Sequence, residues 1–375
     1  MLDSKRNNNI EWLRIVSMLL IVAYHTISDG VVDTNQPFIA FSTQTLFGYW
    51  GILGTDTFII ISAWFLSKKD FKIQRIISVA FQTFTWVMAY IVLFIFYKSM
   101  CCGQCILDVI LSIARQSYID LFSPLWSDYY WFITAYVYMI IASTFVNKLV
   151  VSLGGRRAKK VIALFSFVPI YSQFDTGAIC SIVNFIYLYF LVAYIKEYGS
   201  EFIKRYAKLR FFWLLLILII TSKFLMYFLQ GSGNVGSMCM YLMKYTIANT
   251  SRNSVVILLL SLLLFFSIEK KKPKYSGNAN RITPYILGVY CFHENSFLGM
   301  QTTSDLLYEK AYNLGLMKPN MFYPVKFFAF VAFLFLAGIF LEYCRYHLFQ
   351  KPFMQMIEKK YEKNIERINN WFNNF

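Results

Sequence analysis

Arg14 and His25 stand eleven positions apart in an otherwise apolar stretch, EWLRIVSMLLIVAYH. At 100° per residue, eleven positions make three turns plus about 20°, so both side chains leave one face of a helix, roughly 16 Å apart along its axis. A histidine suits proton transfer near neutral pH, and an arginine holds an anion through charge-assisted hydrogen bonds. Ionisable groups inside an apolar span are costly unless paired, so they point to function. Two more occur, Asp56 in GTDTFIIISAWFL and His293 in TPYILGVYCFHEN. Together they describe general-base chemistry. His25 removes a proton, Asp56 or His293 orients or assists it, and Arg14 grips an anionic ligand three turns away. The plainer reading of Arg14 is an ion pair with Glu11, one turn off. Lys223 is a weaker candidate whose acidic partner the sequence does not identify. Lys326 lies near a span end, where it can snorkel, and His347 reads as a solvated helix end.

The elements that must carry these groups are membrane spans. Of 375 residues, 58% are hydrophobic and only 15% charged, against the quarter or so charged in an ordinary soluble domain. Apolar windows give ten candidate spans, roughly 10–28, 46–66, 77–97, 129–147, 160–174, 178–195, 211–229, 253–268, 283–300 and 322–343. The fifth is short and holds Pro169, with a re-entrant pair as the alternative there. No cleavable signal pattern precedes the first run, which is therefore kept as a span. Gly51 and Gly54, just before Asp56, allow close helix approach. Thr283 can cap and Pro284 can start the ninth span. Ten residues into that span, His293 reaches a depth close to that of His25.

The formal charge of +16 has a topological explanation. With the N-terminus inside, most of the basic residues fall on alternate, cytoplasmic segments. The outside segments hold only Lys98, Arg115, Lys244, Arg252, Lys310 and Lys318. That bias is what the positive-inside rule requires, so the charge calls for no nucleic-acid partner. The expected fold is an all-α, polytopic membrane protein with about ten transmembrane helices and both termini cytoplasmic. Residues 1–347 form the transmembrane domain, and 348–375 form a basic amphipathic tail lying at the inner lipid surface. Cys102 and Cys105 in CCGQC can form a disulfide, but small apolar residues at a helix end are the plainer reading. No nearby histidine completes a metal site there, and no metal is expected.

Four stretches, in order, carry a resemblance. The Arg–ten residues–His spacing of EWLRIVSMLLIVAYH, the Gly-x-Asp element GTDTFIIISAWFL, the Trp-Phe helix YYWFITAYVYMIIASTFVNKL and the late TPYILGVYCFHEN resemble the motifs of acyltransferase family 3. These are bacterial membrane O-acyltransferases of surface polysaccharides. The resemblance implies that Arg14 and His25 are the functional pair and His25 the catalytic base. It implies acetyl-CoA as a donor substrate entering from the cytoplasm, no permanently bound cofactor, and a polysaccharide or lipid-linked sugar hydroxyl as acceptor at the outer side of the bacterial plasma membrane. Direct transfer and an acyl-enzyme route both remain open. Where some members carry Arg-x-x-Arg after the second span, this chain has Lys72-x-x-Arg75, which the resemblance makes a donor-phosphate site. Plain topology determinants explain Lys68, Lys69, Lys72 and Arg75 equally well. Ser62-Ala63 replaces the usual Ser-Gly.

A transporter or flippase of a glycan or lipid-linked intermediate is the alternative, since membrane Arg, His and Asp also suit a proton-coupled carrier. Against it, the halves show no inverted repeat, and the polar groups cluster in the first, second and ninth spans. The charge ladder makes a direct prediction. A cysteine at Asn35 is labelled by an impermeant reagent from outside, and one at Gly154 only after permeabilisation; the reverse pattern overturns the orientation.

Overall fold

The computed structural model describes residues 7–27, 36–113, 130–167, 170, 181–199, 201–250, 254–275, 278–295 and 302–374, and its regular elements are all helices. Five continuous helical runs are long and apolar enough to cross a membrane: Phe38–Leu66, Ile73–Met100, Trp131–Phe165, Leu209–Phe228 and Tyr323–Asn374. Val255–Glu269 is apolar but shorter. Three other expected spans fall short of that standard. Helix α1 (Asn8–His25) carries Glu11 and Arg14, the helix Ser181–Tyr198 ends in Lys196 and Glu197, and the helix Ile286–His293 is only 8 residues long. Asn35, Pro169 and Cys180 lie outside the described residues.

Helix α1 packs along the run made by α2 (Phe38–Thr43), a π turn (Gln44–Gly48) and α3 (Gly51–Leu66). The glycines explain the closeness. Gly51 lies against the Tyr24 ring and Gly54 against the Ser17 carbonyl, where a Cβ would overlap in either case. Next come α4 (Ile73–Cys102) and α5 (Trp131–Phe165), the latter bent at Gly154, whose φ of +68° suits glycine. The fourth and the start of the fifth expected spans are thus two arms of one bent helix. Helix α6 (Ser181–Tyr198) pairs with α5 and touches α3. Lys196 at its end donates to the carbonyls of Trp64 and Ser67, closing the end of α3.

The chain continues through α7 (Glu201–Tyr206), α8 (Leu209–Phe228), α9 (Gly233–Tyr245), α10 (Val255–Glu269) and α11 (Ala279–Ile282). A 3-10 turn (Thr283–Tyr285) then leads into α12 (Ile286–His293). Pro284 sits at the start of that turn as expected, but the Thr283 hydroxyl donates back to Ala279 O rather than capping. Helices α13 (Thr303–Asn313) and α14 (Tyr323–Arg345) follow, and α12 packs against both α14 and α1. Cys102 and Cys105 are free and exposed.

The expected domain boundary at 347/348 falls inside a π turn (Tyr346–Gln350) that joins α14 to α15 (Lys351–Asn374) without a break. The tail is helical as expected, but its apolar residues are divided between protein and solvent. Phe353 stacks on Phe81 at 3.8 Å and Phe372 on Phe71 at 4.2 Å, and Ile365 is buried, whereas Ile368 and Trp371 stay exposed. An amphipathic pattern fits a bilayer surface and a protein groove alike.

Arg345, just past the end of the last expected span, is buried. It grips Glu342 at 2.7 and 2.6 Å and donates to Thr85 Oγ1 at 2.8 Å. Glu342, 1% exposed, also accepts from Gln82 Nε2 and Trp86 Nε1, each at 2.8 Å. It passes over Gly288, where any Cβ would collide with it. One carboxylate therefore ties α4, α12 and α14 together. Removing one member of a buried pair costs about 3–5 kcal/mol, because the other charge is left stranded. Glu342→Ala should therefore lower the melting temperature of detergent-solubilised protein sharply. The double variant Glu342→Leu/Arg345→Met should recover most of the loss, and equal melting of wild type and Glu342→Ala would refute the account.

Candidate active site

Helix α12 stops at His293, within a bundle of apolar helices, and a helix end leaves its last carbonyls unpaired. Three of them find partners here, and the Val289 carbonyl one turn earlier gains a second one. The His293 ring meets Val289 O through Nδ1 at 2.6 Å, and the Glu294 backbone N–H donates to Tyr290 O at 3.1 Å. Tyr130 Oη donates to Cys291 O at 3.1 Å, and Tyr90 Oη donates to Phe292 O. Asn295 Nδ2 in turn donates to Tyr130 Oη at 2.6 Å. The end of α12 is thereby fixed against α4 and the start of α5.

His25, the last residue of α1, meets this end. Its Nδ1 lies 3.0 Å from His293 Nε2 and 3.0 Å from Glu294 Oε2. A carbonyl can only accept, so His293 Nδ1 carries a proton towards Val289 O, and in the neutral pair its Nε2 is an acceptor. The proton on the line between the rings then belongs to His25 Nδ1, which makes Nε2 the basic nitrogen of His25. The same three donor atoms lie within 4.8 Å of one another, the spacing at which they could share a metal ion. Beside them opens a cavity of about 400 Å³, lined from α1 by Met18, Ile21, Tyr24 and His25 and from α3 by Gly51 and Thr55. Glu294 and Asp305 add carboxylates to its wall.

The sequence-derived candidates divide. His25 and His293 come together. The acid beside His25 is Glu294 rather than Asp56, which is buried in α3, has one carboxylate oxygen without a hydrogen-bond partner, and does not line the cavity. Depth along a span is legible from the hydropathy boundaries, but the direction a residue faces among several helices is not. Glu294 has only the signal of a His-Glu pair at a span end, and Tyr90 and Tyr130 have none. Arg14 is partly buried, 3.8 Å from Glu11 and over the Phe65 ring at 5.4 Å. Met18 of the cavity wall is one turn from it. Lys72 is exposed, and Arg75 donates to Asp70 O at 3.0 Å. Lys223 is fully buried without an acid among the described residues, donating instead to Thr250 Oγ1 at 3.0 Å over the Tyr49 ring. His347 is exposed beside Tyr285 Oη at 3.3 Å.

A family model described as an acyltransferase domain matches residues 7–343, nearly the whole helical body and all of this site. The chain belongs to acyltransferase family 3. Comparison with curated proteins and with solved structures gave no match. Family membership and the apolar helices make this a membrane acyltransferase, and its helical body is the acyltransferase domain.

The hydrogen-bond directions around the pair are directly measurable in this acyltransferase. Nitrogen-15 spectra of histidine-labelled protein above neutral pH should show both His25 and His293 as Nδ1–H tautomers. In the double variant His293→Ala/Glu294→Ala, which removes both acceptors at Nδ1, the His25 ring should lose that single-tautomer signature. An Nε2–H tautomer of His25 in the wild type would contradict the arrangement.

Proposed function

We propose that this family member is an integral-membrane O-acyltransferase that carries acetyl from acetyl-CoA to a hydroxyl of a cell-surface polysaccharide sugar at the bacterial plasma membrane. The observation that carries the reading is His25 held through Nδ1 between His293 and Glu294 at the wall of the cavity. A general base needs one nitrogen anchored and the other basic, and the Val289 O–His293–His25 chain supplies that polarity. In the direct route, His25 Nε2 takes the acceptor hydroxyl proton as the oxygen attacks the thioester carbonyl carbon. The C–O bond forms, the C–S bond breaks, and the departing thiolate takes the proton back from His25. Glu294 stabilises the imidazolium between these steps, as an adjoining carboxylate does in a catalytic triad. The carbonyl end of the α12 dipole adds to it.

Arg14 lies roughly 16 Å from His25 along α1, too far to touch the reacting atoms. Its role in this reading is to hold the donor on the cytoplasmic side, with Glu11 as its resting partner. Lys72 and Arg75 extend the positive charge at that end. Membrane lipids surround the exposed apolar faces, and the acceptor is a polysaccharide or lipid-linked sugar.

The two roles separate experimentally. His25→Ala should lower acetyl transfer by about a hundredfold or more, the scale of a lost general base, while membrane insertion and acetyl-CoA binding persist. Arg14→Ala should weaken acetyl-CoA binding about tenfold, the scale of one charge-assisted hydrogen bond. Arg14→Lys should recover part of it, because a point charge lacks the guanidinium fork. A fully active, well-inserted His25→Ala protein sinks the mechanism. Normal donor binding by Arg14→Ala leaves that residue a structural partner of Glu11.

A further inference from the structure

Lys72 is exposed and Arg75 is turned to the Asp70 carbonyl, so the donor's phosphate-bearing end calls for a further seat. A different cavity of about 440 Å³ lies at the same end of the bundle. Its wall brings Lys68, Lys69 and Asp70 from the α3–α4 connection together with Asn147 and Lys148 of α5 and Asn373 of the tail. Three lysines and one carboxylate line it, and one of the lysines, Lys68, pairs with Glu197 at 2.8 Å.

The shape of this connection depends on the tail. Helix α4 starts after Lys72, whose side chain makes no cap, so its first N–H groups need outside acceptors. Asn373 Oδ1 accepts from the Phe71 N–H and Asn369 Oδ1 from the Ile73 N–H, both at 2.8 Å. The same amides donate in return, Asn373 Nδ2 to Phe71 O at 3.3 Å and Asn369 Nδ2 to Gln74 Oε1 at 3.2 Å. A spacing of four residues puts both asparagines on one face of α15. Lys148 Nζ donates to Asn373 O at 2.8 Å, tying α5 to the same clasp. Lys68 holds a φ of +68°, uncommon for a residue with a side chain, and pairs with Glu197 at 2.8 Å. The lysine-bearing turn is thus fixed from behind by residues that lie beyond position 343, where the family match ends.

We propose that the cavity between Lys69 and Lys148 receives a phosphate group of the acyl donor, and that the C-terminal helix is the positioning element that keeps it formed through Asn369 and Asn373. This rests on the acetyl-CoA reading above. From Thr55 at the catalytic cavity to Lys68 is thirteen residues, about 20 Å along the helix, so the donor would lie extended along α3. The tail acts on affinity and leaves His25 untouched.

Free coenzyme A is the probe, titrated calorimetrically into detergent-solubilised full-length protein alongside steady-state kinetics with acetyl-CoA. Three variants are compared with wild type: Lys148→Met, Asn369→Ala/Asn373→Ala, and a stop after Glu362, which keeps the buried Arg345 and Gln350. Each should raise the coenzyme A Kd and the acetyl-CoA KM about tenfold, with kcat at saturating donor within twofold of wild type. A synthetic peptide of residues 363–375 should restore the KM of the truncated protein. Unchanged Kd in the asparagine variant and the truncation overturns the proposal while the donor reading stands. A fall in kcat at constant Kd overturns it too, by making the tail a general support. No coenzyme A binding by wild type overturns the donor reading and this proposal together.

Discussion

A helix that ends inside an apolar bundle must find acceptors and donors for its last turn, and everything around the candidate site follows from how α12 meets that demand. Its final carbonyls are taken by a ring nitrogen, a backbone N–H and two tyrosine hydroxyls. The bond from His293 Nδ1 to Val289 O does two things at once. It gives a helical carbonyl a second partner, and it fixes which nitrogen of His293 faces His25. Tautomer control here comes from a main-chain carbonyl one turn back on the histidine's own helix.

The sequence was informative where a regular period sufficed. The 3.6-residue repeat places Arg14 and His25 on one face of α1, and counting from Pro284 sets His293 at the depth where the rings now touch. It was uninformative about rotation. Asp56 looked like the acid because it interrupts a long apolar run, yet it packs inside α3, while Glu294 sat unnoticed beside His293 at the edge of a span. Glu342 and Arg345 were missed for the related reason that a charge near a span end reads as solvated until a partner helix covers it. The asparagines of the tail gave no signal, since their partners are backbone groups nearly 300 positions earlier.

The clustering of buried polar groups also divides the molecule by purpose. One set, around His25, faces a cavity. The other, around Glu342, is enclosed, with both carboxylate oxygens engaged by side chains of α4 and α14. Both hold the same short helix, from its end and from Gly288 near its start. A glycine is required at that position because the carboxyl group occupies the space a side chain would need.

Three of the contacts that hold this arrangement leave α4 from Gln82, Trp86 and Tyr90, spaced one turn apart on one face. This gives that stretch of helix a fixed length as well as a fixed composition. A single inserted residue between Gln82 and Tyr90 would turn everything beyond it by 100°, carrying Tyr90 away from Phe292 while Gln82 stayed on Glu342. The hydropathy of the span would hardly change, and a lipid bilayer would accept it as readily. The constraint across these nine residues is therefore one of register, which no measure of hydrophobicity records.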